Sequence, residues 1–273
     1  MPVDGRVTGL RGHPVVVIGA GQAGLAASWH LNRRGIEHVV LLEYLYAYFS
    51  LRDPTEPGLQ KKLSDDLLYA RHELLGIAIS EMRHLRGANQ LLWTLEKRGI
   101  IKNKVGPVLE PGLKVPSPRG SRDRELRPLS PDVLAEFIDI EKPSGMLDGA
   151  YARVISTLRS GYPEAMLQLA REIAADGMDH YSHFCEIQLI LKPLIKKAGA
   201  GEPAYLRPVT TATKAQAKAA IDLYQGMLAD LRAAYQHGDM EDAANILAAR
   251  AKMMKLDTVA NDLASGKLGV PFF

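Results

Sequence analysis

From residue 36 to residue 264 the apolar side chains recur three and four positions apart, and few stretches alternate in the manner of a strand. A chain patterned this way must bury helical faces against one another. The pattern is carried by residues 36–51, 60–98, 131–141, 147–158, 162–197 and 210–264. It is broken by "RDPTEPG", by "VGPVLEPGLKVPSPRGSRDRELRPLSP" and by "GAGEPAYLRPVT", where Pro and Gly interrupt helix hydrogen bonding or favour turns. The second break, residues 102–131, is long for a connection in a compact bundle, so it is expected to wrap the outside or cover an entrance.

With 273 residues, 47% of them apolar and 24% charged, the chain can build one large or two small domains with an ample core. Its 34 Lys and Arg against 31 Asp and Glu leave a net charge of +3. Basic residues are nowhere concentrated with interleaved aromatics, so no nucleic-acid partner is expected. Cys185 is the single cysteine, which rules out an intramolecular disulfide and a thiolate zinc cluster and favours a cytoplasmic setting. No basic segment leads into an unbroken apolar run at the N-terminus, and no run of about eighteen uncharged apolar residues occurs. Neither a signal peptide nor a membrane-spanning helix is expected.

One stretch resists the helical reading. Residues 14–43, "PVVVIGAGQAGLAASWHLNRRGIEHVVLLE", place an apolar strand, Val15 to Ile18, before Gly19, Gly21 and Gly24 at G-x-G-x-x-G spacing. A helix and a second strand ending in Glu43 would follow. Glycines of this kind let the backbone approach a pyrophosphate at a helix N-terminus, and the acid takes a ribose hydroxyl, so FAD or NAD(P) is a candidate cofactor. The stretch resembles the N-terminus of flavin-containing monooxygenases. Those enzymes need further strands and a second glycine fingerprint, and neither follows Glu43. A single βαβ unit leaves its strand edges unpaired. Residues 1–35 are therefore read as an incomplete segment packed on another domain, and "GIEHVVLLEYLYAYFSL" is the point of conflict. As a helix, residues 36–51 add a wall to a bundle, turn Leu41, Leu45 and Tyr48 to its core, and leave Glu43 facing outward or supporting a site from behind.

Acids and imidazoles sit at helical offsets. Glu81 and His84 form Glu-x-x-His in "ISEMRHLRGANQLLWTL", on one face of an otherwise apolar run, as in di-iron carboxylate bundles. Glu37 stands one heptad before Tyr44, a place where such bundles set a tyrosine that supports the helix-one Glu, so Tyr44 is the candidate catalytic side chain. In "REIAADGMDHYSHF" Asp176 precedes His180 by one turn, and Asp179 precedes His183 likewise. Carboxylates with one imidazole per ion suit a hard redox metal. An isolated Glu-x-x-His is more often an exposed pair; its company here argues for a metal. Leu91, Trp93 and Leu95 read as core. The tail from Thr210 to Lys267 reads as a helical hairpin without chemistry, solvated except for its buried stripe.

Taken together, "IEHVVLLEYLYAYFSL", "SEMRHLRGANQLL", "LRPLSPDVLAEFIDIEKP" and "AADGMDHYSHF" resemble four successive helical segments of the ferritin-like family represented in the iminophenyl-pyruvate dimer synthase of violacein biosynthesis. The likeness spans residues 36–191. It implies a metal set of Glu37, Glu81, His84, Glu141 and His180 with an acid. The acid of a second Glu-x-x-His is replaced by Gly177, which leaves Asp176 as the candidate and makes a mononuclear site or an altered chemistry an alternative to two ions. Glu136 competes with Glu141 for its role.

The fold expected is mainly α: a ferritin-like helical bundle over residues 36–200, preceded by a short N-terminal βα(β) dinucleotide-binding-like segment (1–35) and followed by a C-terminal helical hairpin (201–273) packed on it. The function expected is an oxidase or oxygenase with one or two irons, acting on a small amine- or imine-bearing metabolite of secondary metabolism. The alternatives are a flavin- or NAD(P)-dependent oxidoreductase and a metal-free scaffold. The partner expected is a small-molecule substrate, and the chain is compatible with a homodimer.

Overall fold

The computed structural model describes residues 40–98, 114–117, 120–142, 155, 164–197, 204–207, 209–235 and 243–272. Gly19, Gly21, Gly24 and Glu37, and all but residue 155 of the expected helix 147–158, lie outside the described residues. Helix α1 covers 40–50, α2 Lys61–Lys97, α3 Pro131–Glu141, α4 Glu164–Lys197, α5 Lys218–Ala234 and α6 Ala243–Ser265. The chain is mainly helical, as its periodicity requires.

Residues 40–43 are helical, so the strand reading of "VVLLE" fails over those positions. The reason is burial on every side. From residue 40 to residue 51 every side chain is buried except Leu45, which is partly so. A helix apolar all round belongs in the middle of a structure. One side of α1 meets α3 and α4 through Tyr44, whose ring stands edge-on to Phe137 at 4.6 Å and Phe184 at 5.0 Å. The other side meets the C-terminal segment, where a Cβ on Gly269 would collide with the ring of Tyr46. Each fully buried aromatic of this set contributes roughly 1.5–3 kcal/mol relative to exposure.

The ends of α1 and α3 are set by polar groups. Arg71 on α2 donates from Nη1 to the carbonyls of Tyr48 and Leu51, satisfying acceptors that the end of α1 would leave bare, and from Nη2 to Asn261 on α6 at 2.8 Å. Ser130 caps α3 by accepting the Val133 N–H, with Pro131 at the first helical position and Asp132 in the first turn. Within the expected loop 102–131 the structure forms a short antiparallel hairpin, β1 Lys114–Ser117 with β2 Gly120–Asp123.

The tail is not helical throughout. Residues 210–211 form a strand, β3, that pairs in parallel with β4 (Leu268–Gly269) and returns the end of α6 to the bundle. Residues 204–207 run back along the end of α1, where Arg52 N–H donates to Tyr205 O and Arg207 N–H to Ser50 O. Helix α5 packs along α6, and Trp93 of α2 stands edge-on to Tyr235 at 5.4 Å, in the core as expected. Leu91 is buried beside it. No helix among the described residues is long and apolar enough to cross a membrane.

Candidate metal centre

Helix periodicity puts Glu81 and His84 on one face of α2, and that face lies against α4. His180 meets them from α4, with Nδ1 2.9 Å from Glu81 Oε1. His84 Nδ1 lies 3.5 Å from the same oxygen, and the two imidazoles are 5.3 Å apart at 32°. All three side chains are buried, and each offers a ligand atom within 4.8 Å of the others.

Glu141, the last residue of α3, is also buried and turns its Oε2 to within 3.9 Å of His180 Nδ1. Its other oxygen accepts the hydroxyl of Tyr44 at 2.5 Å. Tyr44 thus supports Glu141, a residue 97 positions away, across the aromatic contact with Phe137 and Phe184. Its expected partner, Glu37, lies outside the described residues. Glu136 does not compete for this place, because Arg127 holds both its oxygens, at 3.1 and 2.6 Å.

Asp176 occupies a different position from the one its spacing suggests. Its Oδ2 lies 3.4 Å from His84 Nε2, the ring nitrogen facing away from Glu81, and accepts the Ser80 hydroxyl at 3.0 Å. It stands beside the three-residue cluster, with 42% of its side chain exposed. Being shorter than Glu and one position off the Gly177 place, it reaches the back of His84. His84 Nε2 makes no aligned hydrogen bond there among the described residues, so the carboxylate acts on the imidazole by proximity and charge. Ser80 gave no signal in the sequence beyond adjacency to Glu81. The second offset pair separates: His183 Nδ1 faces Glu73 Oε2 of α2 at 2.8 Å, while Asp179 is exposed.

Glu43 is buried, at 2% exposure, and accepts the N–H of Glu125 at 3.0 Å. The outward placement is corrected. It ties α1 to the segment leading into α3, and its carboxylate is engaged there and not displayed for a ribose.

Burial by itself would raise the Glu81 carboxyl, but the facing imidazoles of His84 and His180 outweigh it and hold the group well below the usual carboxylate range. For His180 burial pushes down, while the close approach and charge of Glu81, and then the charge of Glu141, push up; the net direction is up. Tyr44 is raised well above a free phenol, first by burial and then by Glu141 and Glu81, so it keeps its proton.

The residues fit a cation. His180 Nδ1 is buried and lacks an aligned hydrogen-bond partner among the described residues, although Glu81 Oε1 is close by. Two donors each about 2.1 Å from one ion and at right angles stand about 3 Å apart, so this near contact has the dimension of neighbouring ligands. Two imidazoles and a carboxylate suit iron, with zinc and related ions as competitors.

The sequence model of the family described as ferritin-like matches residues 34–175. No curated protein matches the chain. Among solved structures, the chain is similar to a ferritin-like protein from Caulobacter vibrioides at 14% identity, over 95% of this chain and 100% of that one, with a TM-score of 0.62. At that identity the likeness speaks for the fold alone.

Proposed function

Since the chain belongs to the ferritin-like family, we propose that its bundle binds iron on Glu81, His84 and His180 and works as an oxidase or oxygenase on a small amine- or imine-bearing metabolite. The observation that carries the reading is the buried trio itself, with Glu81 Oε1 between two imidazoles and an unaligned nitrogen at 2.9 Å. An ionised carboxylate costs several kcal/mol to bury without a cation or strong donors, and the two imidazoles prepare the place for one. Iron, when bound, supplies the electrons and the open coordination positions that dioxygen chemistry requires.

The chain's own residues then have separate tasks. Glu81 and the two imidazoles hold the ion. Asp176 faces His84 at Nε2, and its partial exposure puts that side of the centre next to solvent. Glu141 faces His180 with one oxygen, while Tyr44 holds a proton against the other. Glu141 is thereby available as a further ligand, and Tyr44 is a proton store at the edge of the site. The substrate class rests on the resemblance to the iminophenyl-pyruvate dimer synthase family. The expected homodimer and the cytoplasmic setting are proposed on the sequence argument.

Metal analysis with an absorption spectrum, on protein purified without chelator and beside the Glu81→Ala/His84→Ala variant, tests this. Iron that is present in the parent and lost in the variant, without flavin bands, supports the reading. Flavin bands with no metal would return the chain to the dinucleotide-binding alternative, and parent protein with neither would favour the scaffold.

A further inference from the structure

On the side of α2 turned away from His84, the bundle and the C-terminal hairpin enclose a cavity of about 530 Å³. None of the candidate metal ligands among the described residues lines it. Leu75 lies three and four positions before Ala78 and Ile79 on α2, which in turn lie four and three before Met82, so the four form one wall. Helix α1 adds Leu45 and Phe49, and α5 adds Tyr224 and Leu228. Phe272 stands edge-on to Tyr224 at 5.7 Å and lines the cavity beside it. The volume lies in the range of small-molecule sites, and the lining is almost wholly apolar.

Two large apolar side chains of the lining lie at the surface: Ile79 is 46% exposed and Met254 75%. Large apolar side chains left in water around an apolar hollow mark a binding surface more often than an accident of packing. Met82, Met227, Met253 and Met254 all contribute to the lining, and unbranched thioethers adapt to a ligand's shape.

The charges give the ligand a polarity. Asp257 and Arg250 both line the cavity from α6, seven residues and so about 10 Å apart along the helix. Asp257 is already engaged by Tyr48, Asn261 and the charge of Arg71. Arg250 is exposed and makes no hydrogen bond or ion pair among the described residues. A guanidinium presents a fork of donors matched to a carboxylate.

We propose that this cavity binds an amphipathic carboxylate, with its acyl chain between α1, α2 and the hairpin and its head group on Arg250. This site is separate from the metal centre and independent of it, and binding is expected in metal-free protein. Its walls include α1 and α2, the helices that carry Tyr44, Glu81 and His84.

Calorimetric titration of metal-free full-length protein with dodecanoate, below its micelle concentration, decides the matter, with methyl dodecanoate as the uncharged control. The expected result is one saturable site per chain, weakened about tenfold or more in Arg250→Glu, weakened similarly by the methyl ester, and lost in Ile79→Trp, which fills the mouth. Arg250 is exposed and unpartnered, so its variant should fold as the parent does. Absence of saturable binding by the parent overturns the proposal, as does equal affinity in Arg250→Glu.

Discussion

His180 Nδ1 and Glu81 Oε1 stand 2.9 Å apart across the α2–α4 interface, both buried, with the pair placed as two ligands of one ion would be and the nitrogen unaligned for a hydrogen bond. Substituting either should therefore weaken metal binding. We expect His180→Ala to lose at least tenfold in iron affinity while keeping its helical circular dichroism, because one of three close ligands is gone. Metal titration of the parent and the variant checks this, and unchanged stoichiometry and affinity in His180→Ala would remove α4 from the site.

Tyr44→Phe deletes the hydroxyl that donates to Glu141 and leaves its ring contacts with Phe137 and Phe184 in place. A buried carboxylate that loses such a donor costs about 2 kcal/mol. We expect a fall of roughly 4–8 °C in melting temperature for a chain of this size, with metal content retained. Differential scanning calorimetry with metal analysis separates the two readouts.

Metal-free protein should be most stable in mildly acidic solution. The folded His180 value lies above its ordinary 6.5, so its contribution is complete below about pH 6.5 and is lost as pH rises through the raised value. Glu81 is held below its ordinary 4.5, so its contribution is present above that pH and is lost as pH falls through the lowered value. Unfolding of chelator-treated protein from pH 4.5 to 8.5 should show stability declining on the alkaline side, and His180→Gln should flatten that limb. Metal affinity should move oppositely, rising with pH as His180 gives up its proton. Apo stability that climbs steadily from pH 6 to 8 would contradict the assignment.

Arg71→Met should destabilise the fold and spare the metal. The guanidinium, 8% exposed, serves two carbonyls at the end of α1 and Asn261 of α6, and lies 4.3 Å from the centroid of the Tyr48 ring. Leaving those acceptors unserved in the interior should cost about 3 kcal/mol. Urea unfolding gives the loss, and an unchanged iron stoichiometry would show that α1 is anchored independently of the site.

Among the described residues, the sequence by itself determined where most of the helices run, residues 210–217 excepted, and which two residues of α2 share a face, because both follow from a period of 3.6 that neighbouring residues impose on each other. Glu81 with His84, the start of α3 at residue 131, and the core placement of Trp93 were all legible in this way. Tertiary structure alone decided which distant partners those faces meet. Tyr44 could bond to any acid near its helix, and packing against Phe137 and Phe184 directs it to Glu141. Asp176 and His180 are one turn apart, yet one meets the back of His84 and the other the Glu81 carboxylate. Glu43 has the spacing of a ribose ligand and becomes a buried acceptor for Glu125 only because α1 is covered on both sides. Local sequence sets the angle of a side chain about its own helix axis. The rotation and depth of that helix against its neighbours depend on summed burial over the whole bundle, and those two quantities settle what each side chain touches.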